Sequence, residues 1–198
     1  MDEEGDGGLG EGADTLPVSL EALSVSAEEQ DEEAKNHSDA TPSAGRSLSI
    51  AGHVARMDDP DDAIQVVIVT ELGKLLSKKN KEDRPINEVI LSGAVPRLVE
   101  LLSRDDCPKL QFEAAWTLTN ITGGTTDHVK TVVDANAVPS LVRLIGSKDE
   151  DVCEQSICAL GNIAGDCVQY RDMLLRSGVM SVLVEKGMVN DNYTFYLH

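Results

Sequence analysis

The chain has few aromatic residues, little positive charge and no long apolar run. Aromatic residues make up 3% of its 198 residues, so a core has to be built from Leu, Val, Ile and Ala. Lys and Arg number 17 against 35 Asp and Glu, which gives a net charge of −18. This balance argues against nucleic acid as a partner, because Lys and Arg must neutralise its phosphates. No apolar stretch approaches the ~20 residues that cross a bilayer, so no membrane partner is expected.

Cysteine and histidine are also scarce, with four of each, and their spacing matches no zinc-site pattern. The N-terminal sequence MDEEGDGG has neither a basic start nor an apolar run. This favours a reducing compartment, in which thiols pack as small apolar groups. No histidine lies near a nucleophile in a recognisable pattern, and no glycine-rich phosphate loop follows a strand. The sequence therefore predicts no enzyme, no metal and no cofactor.

Residues 1–57 differ in composition from the rest of the chain. They include no aromatic residue, and they carry thirteen acidic and three basic side chains. Such a segment cannot bury enough apolar surface to offset the entropy lost on folding, so it predicts a disordered acidic tail. Helical spacing of apolar residues begins after this segment, in IQVVIVTELGKLLSKK at 64–79.

Three related units follow at a period of about 42 residues. Their markers are GAVPRLVELL from Gly93, NAVPSLVRLI from Asn136 and GVMSVLVEKG from Gly178. The period is typical of stacked helical repeats of the HEAT and armadillo types. Gly and Asn suit a left-handed residue after a helix, so the three marker residues are expected to separate a first from a second helix. The sequence predicts an all-α solenoid with repeats at 58–80 (partial), 85–124, 127–166 and 168–188 (partial), followed by an irregular tail at 189–198.

The third helix of each unit is expected to bury one face and to end at glycine. Its apolar stripe is Leu110, Ala114, Leu118 and Ile121 in one unit and Val152, Leu160 and Ile163 in the next. The glycines that are expected to end these helices are Gly123, Gly124 and Gly165.

Two polar positions on the third helices lie off this stripe. Trp116 and Asn120 are one helical turn apart, and Asn162 recurs at the matching point of the next unit. An amide can bond both the N–H and the C=O of a peptide, and an indole face attracts cations. Their repetition favours a surface for an extended peptide over a catalytic site.

The repeat sequences LQFEAAWTLTNITGGT, AVPSLVRLIGS, EQSICALGNIAGD and YRDMLL resemble the second and third armadillo repeats of the importin-α family. The resemblance spans residues 60–188. This family carries nuclear localisation signals into the nucleus, so the resemblance implies a location in the cytoplasm and nucleus. It also implies a right-handed superhelix of three-helix repeats, with the third helices lining a concave groove that holds a Lys/Arg-rich cargo peptide.

The resemblance implies roles for six residues of the groove. Trp116 matches a wall for a cationic side chain, and Asn120 matches an amide that bonds the peptide backbone. Asp166 matches the acidic group that receives a lysine ammonium, and Gly124 matches a carbonyl contact to that lysine. The implied peptide-binding residues are Trp116, Asn120, Gly124, Gln155, Asn162 and Asp166.

The sequence also departs from the family pattern. Cys158 stands at the second Trp position, and Val129 replaces a Thr that assists Asp166. The family's basic N-terminal segment, which binds importin-β, is absent from residues 1–57, so coupling to importin-β is in doubt. VNDNYTFYLH follows two helices of the fourth unit where a third helix is expected, which is typical of a truncated or fragmentary member. The alternative function is a non-transport interaction scaffold, or a regulator that sequesters cargo.

Overall fold

A computed structural model describes residues 48–188, and the predicted tails over 1–47 and 189–198 lie outside the described residues. Secondary structure within 48–188 is entirely helical, with a 3-10 turn at Lys81–Asp83. None of these helices is both long and apolar enough to span a membrane. The α-helices are α1 (Ile50–Ala55), α2 (Asp62–Leu76), α3 (Ile86–Leu91), α4 (Ala94–Leu101), α5 (Pro108–Thr122), α6 (Thr126–Asp134), α7 (Ala137–Ile145), α8 (Glu150–Asp166), α9 (Val168–Arg176) and α10 (Val179–Glu185).

Helix α1 lies inside the segment that was predicted to be disordered, so the boundary at residue 57 is corrected. Ser49 caps the helix by accepting the Gly52 N–H at 3.2 Å. Ile50 and Met57 are buried, and His53 Nε2 lies 2.9 Å from Glu71 Oε2 on α2. Burial of these apolar side chains in the core stabilises α1, which packs against α2 and α3. The average composition of residues 1–57 does not indicate these apolar side chains, because they are few.

The turn between the first and second helices is the same in each unit, as the sequence predicts. Gly93, Asn136 and Gly178 have φ values of 81°, 62° and 83°, in the left-handed region. Asn136 is the one non-glycine residue with positive φ among the described residues. Pro96 and Pro139 lie in the first turn of the following helix, where an N–H has no helical partner to lose.

The third helices α2, α5 and α8 lie side by side, with α5 in the middle. The predicted apolar stripe of α5 is fully buried, and that of α8 is buried as well. Two threonine hydroxyls of α5 also contact the neighbouring third helices. Each hydroxyl donates mainly within α5, Thr117 Oγ1 to the Glu113 carbonyl at 2.7 Å and Thr119 Oγ1 to the Ala115 carbonyl at 2.9 Å. Their contacts with the Val69 carbonyl at 3.5 Å and the Gln155 carbonyl at 3.2 Å, on the neighbouring helices, are longer and weaker. The row of third helices is therefore held mainly by apolar burial, with weaker threonine contacts to each neighbouring helix.

Arginine side chains connect neighbouring repeats along one edge. Arg104 donates to Asp62 Oδ2 at 2.8 Å and to Gln65 Oε1 at 3.1 Å. Arg143 donates to Asp105 Oδ1 and to the Leu102 carbonyl, both at 2.8 Å. The hydrogen bond from Arg143 lowers the pKa of the Asp105 carboxyl. Exposed ion pairs contribute little stability singly, so these contacts mainly fix how one repeat is positioned on the next.

The C-terminal ends of the third helices differ from each other. Helix α5 ends as predicted, with Gly123 as its C-cap. Helix α8 continues through Gly165 to Asp166, so the prediction that Gly165 ends it is wrong. A glycine inside a helix costs only about 1 kcal/mol relative to alanine. The helix ends instead at Cys167, whose backbone is extended.

Candidate peptide-binding site

Trp116 lies half-buried on α5 with its indole against the backbone of α2. A Cβ added to Gly73 would lie 2.7 Å from both Cε3 and Cζ3 of the indole. Ordinary carbon contacts are about 3.5–4.0 Å, so the indole can approach α2 this closely only because residue 73 is glycine. The indole Nε1 is buried and has no hydrogen-bond partner among the described residues.

Asn120 lies one turn after Trp116 on the same face of α5. The residue is 7% exposed, and no residue that the structure describes forms a hydrogen bond with its buried Nδ2. Leaving a buried polar group unpaired costs about 1–3 kcal/mol. The Asn120 amide is therefore a donor positioned for an acceptor that the described residues do not supply.

Glu113 lies one turn before Trp116 and is not among the site residues that the sequence predicts. It is 6% exposed, and its Oε2 is buried without a hydrogen-bond partner in the described part of the chain. Burial raises the pKa of this carboxyl, while the Thr70 hydroxyl and the charges of Lys109 and Lys74 act in the opposite direction. A signal was present in the sequence, because Glu113 precedes Gln155 by 42 residues, which is the period of the repeats. We call Glu113, Trp116 and Asn120 together the polar face of α5.

Asn162 and Gln155 lie on α8, next to α5. Asn162 Nδ2 donates to the Thr119 carbonyl at 3.2 Å and to Thr122 Oγ1 at 3.3 Å. The amide hydrogens of Asn162 thus bond the preceding third helix, whereas the Asn120 amide has no such partner. Gln155 is 3% exposed, and its main-chain oxygen accepts from Thr119. The role of both residues in peptide binding stays a prediction.

Asp166 and Gly124 lie at the C-terminal ends of α8 and α5. Asp166 is half-buried, and its Oδ2 is buried without a hydrogen-bond partner within residues 48–188. A Cβ on Gly124 would lie 2.2 Å from His128 Nδ1, so the His128 ring alone requires glycine there. The predicted contact of the Gly124 carbonyl with a lysine is a separate property and stays a prediction.

His128, at the start of α6, forms a hydrogen bond with Asn87 of α3. Its Nδ1 accepts the Thr125 N–H at 3.0 Å, and its Nε2 lies 2.9 Å from Asn87 Oδ1. With Nδ1 as acceptor, the ring is neutral and Nε2–H donates to Asn87. Burial lowers the pKa of His128, and the nearby charge of Asp127 opposes this shift.

Buried polar atoms without partners are concentrated on the third helices. Five such side-chain atoms occur within residues 48–188. One of them, Arg97 Nε, lies 2.6 Å from Asp58 Oδ1 in an ion pair, so its charge is compensated. The other four are Glu113 Oε2, Trp116 Nε1, Asn120 Nδ2 and Asp166 Oδ2. Folded proteins pair most of their buried polar groups, so this concentration marks a surface suited to a polar ligand.

The comparisons with known proteins agree with this geometry. The armadillo/beta-catenin-like repeat family matches residues 82–123 and 125–165. Importin subunit alpha-1b of Oryza sativa subsp. japonica is 47% identical over 133 residues, which cover 67% of this chain and 24% of that protein. Importin subunit alpha-2 of Arabidopsis thaliana is 44% identical over 138 residues, which cover 70% of this chain and 25% of that protein. The chain thus spans about a quarter of the length of these relatives.

Solved structures show the same architecture. A designed armadillo repeat protein matches with a TM-score of 0.63 and 26% identity, over 73% of this chain and 58% of that one. The predicted all-α armadillo solenoid is therefore confirmed. The two relatives are importin subunits rather than enzymes, in agreement with the expectation from the sequence. The armadillo repeats and the identity to these subunits together show that the chain is a member of the importin-α family over the region that it shares with them.

Proposed function

We propose that this chain is a nuclear-import signal receptor of the importin-α type, which binds Lys/Arg-rich peptides along its third helices. The observation that carries the proposal is the set of buried, unpartnered polar atoms on the polar face of α5 and at Asp166. A nuclear localisation signal offers the complementary groups, namely backbone carbonyls and cationic side chains. The proposed receptor works in the cytoplasm and nucleus.

Each group has a distinct part in holding the peptide. The Asn120 amide donates to a peptide carbonyl regardless of cargo sequence. The Trp116 indole attracts a cationic side chain with about 0.5–2 kcal/mol. The Asp166 carboxylate receives an ammonium through a charge-assisted hydrogen bond, which sets a preference for lysine. The net charge of −18 attracts cationic peptides and speeds their encounter with the chain.

A titration followed by fluorescence anisotropy tests the proposal. The probe is a labelled octapeptide of Lys and Arg, and its control replaces these residues with norleucine and citrulline. Saturable binding of the basic probe alone is expected, and Asp166→Lys should abolish it. Glu88→Lys is the matched control, because it makes the same charge change at an exposed position of α3. Equal binding of both peptides, or equal loss in both variants, would refute the proposal.

Cys158 favours a second candidate function, a non-transport scaffold or a cargo-sequestering regulator. This half-buried residue holds the second indole position of the family pattern, so one cation-binding wall is missing. Capture of the chain by purified importin-β, with and without the basic peptide, separates the two functions. Robust capture supports transport. Peptide binding without capture supports the sequestering regulator.

A further inference from the structure

The polar face of α5 extends beyond the positions that the family resemblance identifies. Glu113 is three residues before Trp116 and seven before Asn120, so the three side chains share one face of the helix. At 1.5 Å per residue, Glu113 and Asn120 are about 10 Å apart along the helix axis. The indole lies between them, and its position is set by contact with Gly73.

We infer that Glu113 forms an additional cation subsite, which receives the ammonium of a lysine whose backbone is held at Asn120 and whose stem passes along Trp116. A lysine stem reaches on the order of 6 Å, and an ammonium–carboxylate contact adds about 3 Å, which matches the spacing of Asn120 and Glu113. The apolar stem suits the indole face, while the charged head suits the recessed carboxyl. This inference rests on the proposed function and adds a specificity residue to it.

Within the described residues, Glu113 has a hydroxyl neighbour, Thr70, but no cationic ion-pair partner. The Thr70 hydroxyl of α2 hydrogen-bonds to the carboxyl, and Lys109 on α5 and Lys74 on α2 act on it through their charges. Neither lysine forms an ion pair with Glu113 within the described part of the chain, and Oε2 lacks any hydrogen bond. A structural role would instead pair both carboxyl oxygens within the fold, whereas Oε2 has no partner among the described residues. A bound ammonium supplies that partner.

Glu113→Gln tests the subsite, because it keeps the shape of the side chain and removes its charge. Affinity for the Lys/Arg octapeptide is expected to fall about tenfold, which is the effect of losing one charge-assisted contact. The urea midpoint is expected to stay the same or to rise, since the variant removes an uncompensated buried acid. Glu88→Gln, which removes one exposed charge from α3, should leave both quantities unchanged. Glu113→Asp keeps the charge on a shorter stem and should retain more affinity than Glu113→Gln.

Peptides with a single Lys→norleucine replacement identify the lysine that Glu113 receives. One position should lower affinity for the unaltered chain about tenfold and have no effect in Glu113→Gln, because the two changes remove the same contact. Equal affinity of the unaltered chain and Glu113→Gln would overturn the subsite and leave the proposed function in place. A loss of affinity that goes with a lowered urea midpoint in Glu113→Gln, and that Glu113→Asp does not recover, would also overturn it. If the unaltered chain binds no basic peptide, both proposals fall.

Discussion

Replacing Gly73 with alanine tests how the indole of Trp116 is held. The new methyl group would lie 2.7 Å from Cε3 and Cζ3 of the indole and 3.0 Å from Thr117 Oγ1. Restoring an ordinary carbon contact requires the ring to move by about 1 Å. Overpacking of this kind costs about 1–3 kcal/mol, whereas alanine in place of glycine favours the helix by about 1 kcal/mol. We expect Gly73→Ala to lower the free energy of unfolding by about 0–2 kcal/mol and to weaken peptide binding.

Gly161→Ala provides the matched control for this substitution. Gly161 also lies inside a third helix, but a Cβ there would meet nothing within 4 Å. Gly161→Ala should therefore raise the free energy of unfolding only by the helix-propensity gain of about 1 kcal/mol. Urea unfolding of both variants isolates the steric cost, and Gly73→Ala made in a Trp116→Ala background should lose that cost. If Gly73→Ala stabilises the chain as much as Gly161→Ala does, the Trp116 indole does not pack closely against Gly73.

Two further predictions concern stability. Because burial holds the pKa of folded His128 below the ordinary 6.5, the unfolded chain binds more protons as the pH falls. The contribution of His128 is thus present above pH 6.5 and lost as the pH falls through the lower folded pKa. Urea unfolding should show the stability advantage over His128→Gln shrinking from pH 7.5 to 5.5, and a constant advantage would contradict this. Leu118→Ala should cost about 2–5 kcal/mol, because Leu118 is fully buried. Leu91→Ala should change stability by less than about 0.5 kcal/mol, because Leu91 is 86% exposed. Similar thermal midpoints for the two variants would refute the assigned core.

Features that depend on local sequence could be predicted from the residues. The left-handed positions Gly93, Asn136 and Gly178 follow from local backbone preference. The apolar stripe of α5 follows from the helical period, and the repeat period identifies which helices share a register. The same period would have added Glu113 to the candidate site, by comparison with Gln155.

Features that depend on contact between distant residues could not be predicted. Helix α1 forms because Ile50 and Met57 are buried in the folded chain, which the composition alone does not show. The position of the Trp116 indole depends on Gly73, which lies 43 residues earlier. The amide of Asn162 bonds Thr119 and Thr122 of the neighbouring helix, and neither partner is evident from the repeat pattern.

The contact between Trp116 and Gly73 makes the proposed peptide binding depend on how one repeat packs on the next. The ring belongs to one repeat and the backbone beneath it to the repeat before, so neither repeat alone contains all of the pocket that is proposed for the cation. A ligand that binds only the docked pair shifts the equilibrium toward docking. Occupancy by a basic peptide should therefore slow hydrogen exchange in α2 as well as in α5, although every proposed ligand contact on this pair of helices comes from α5.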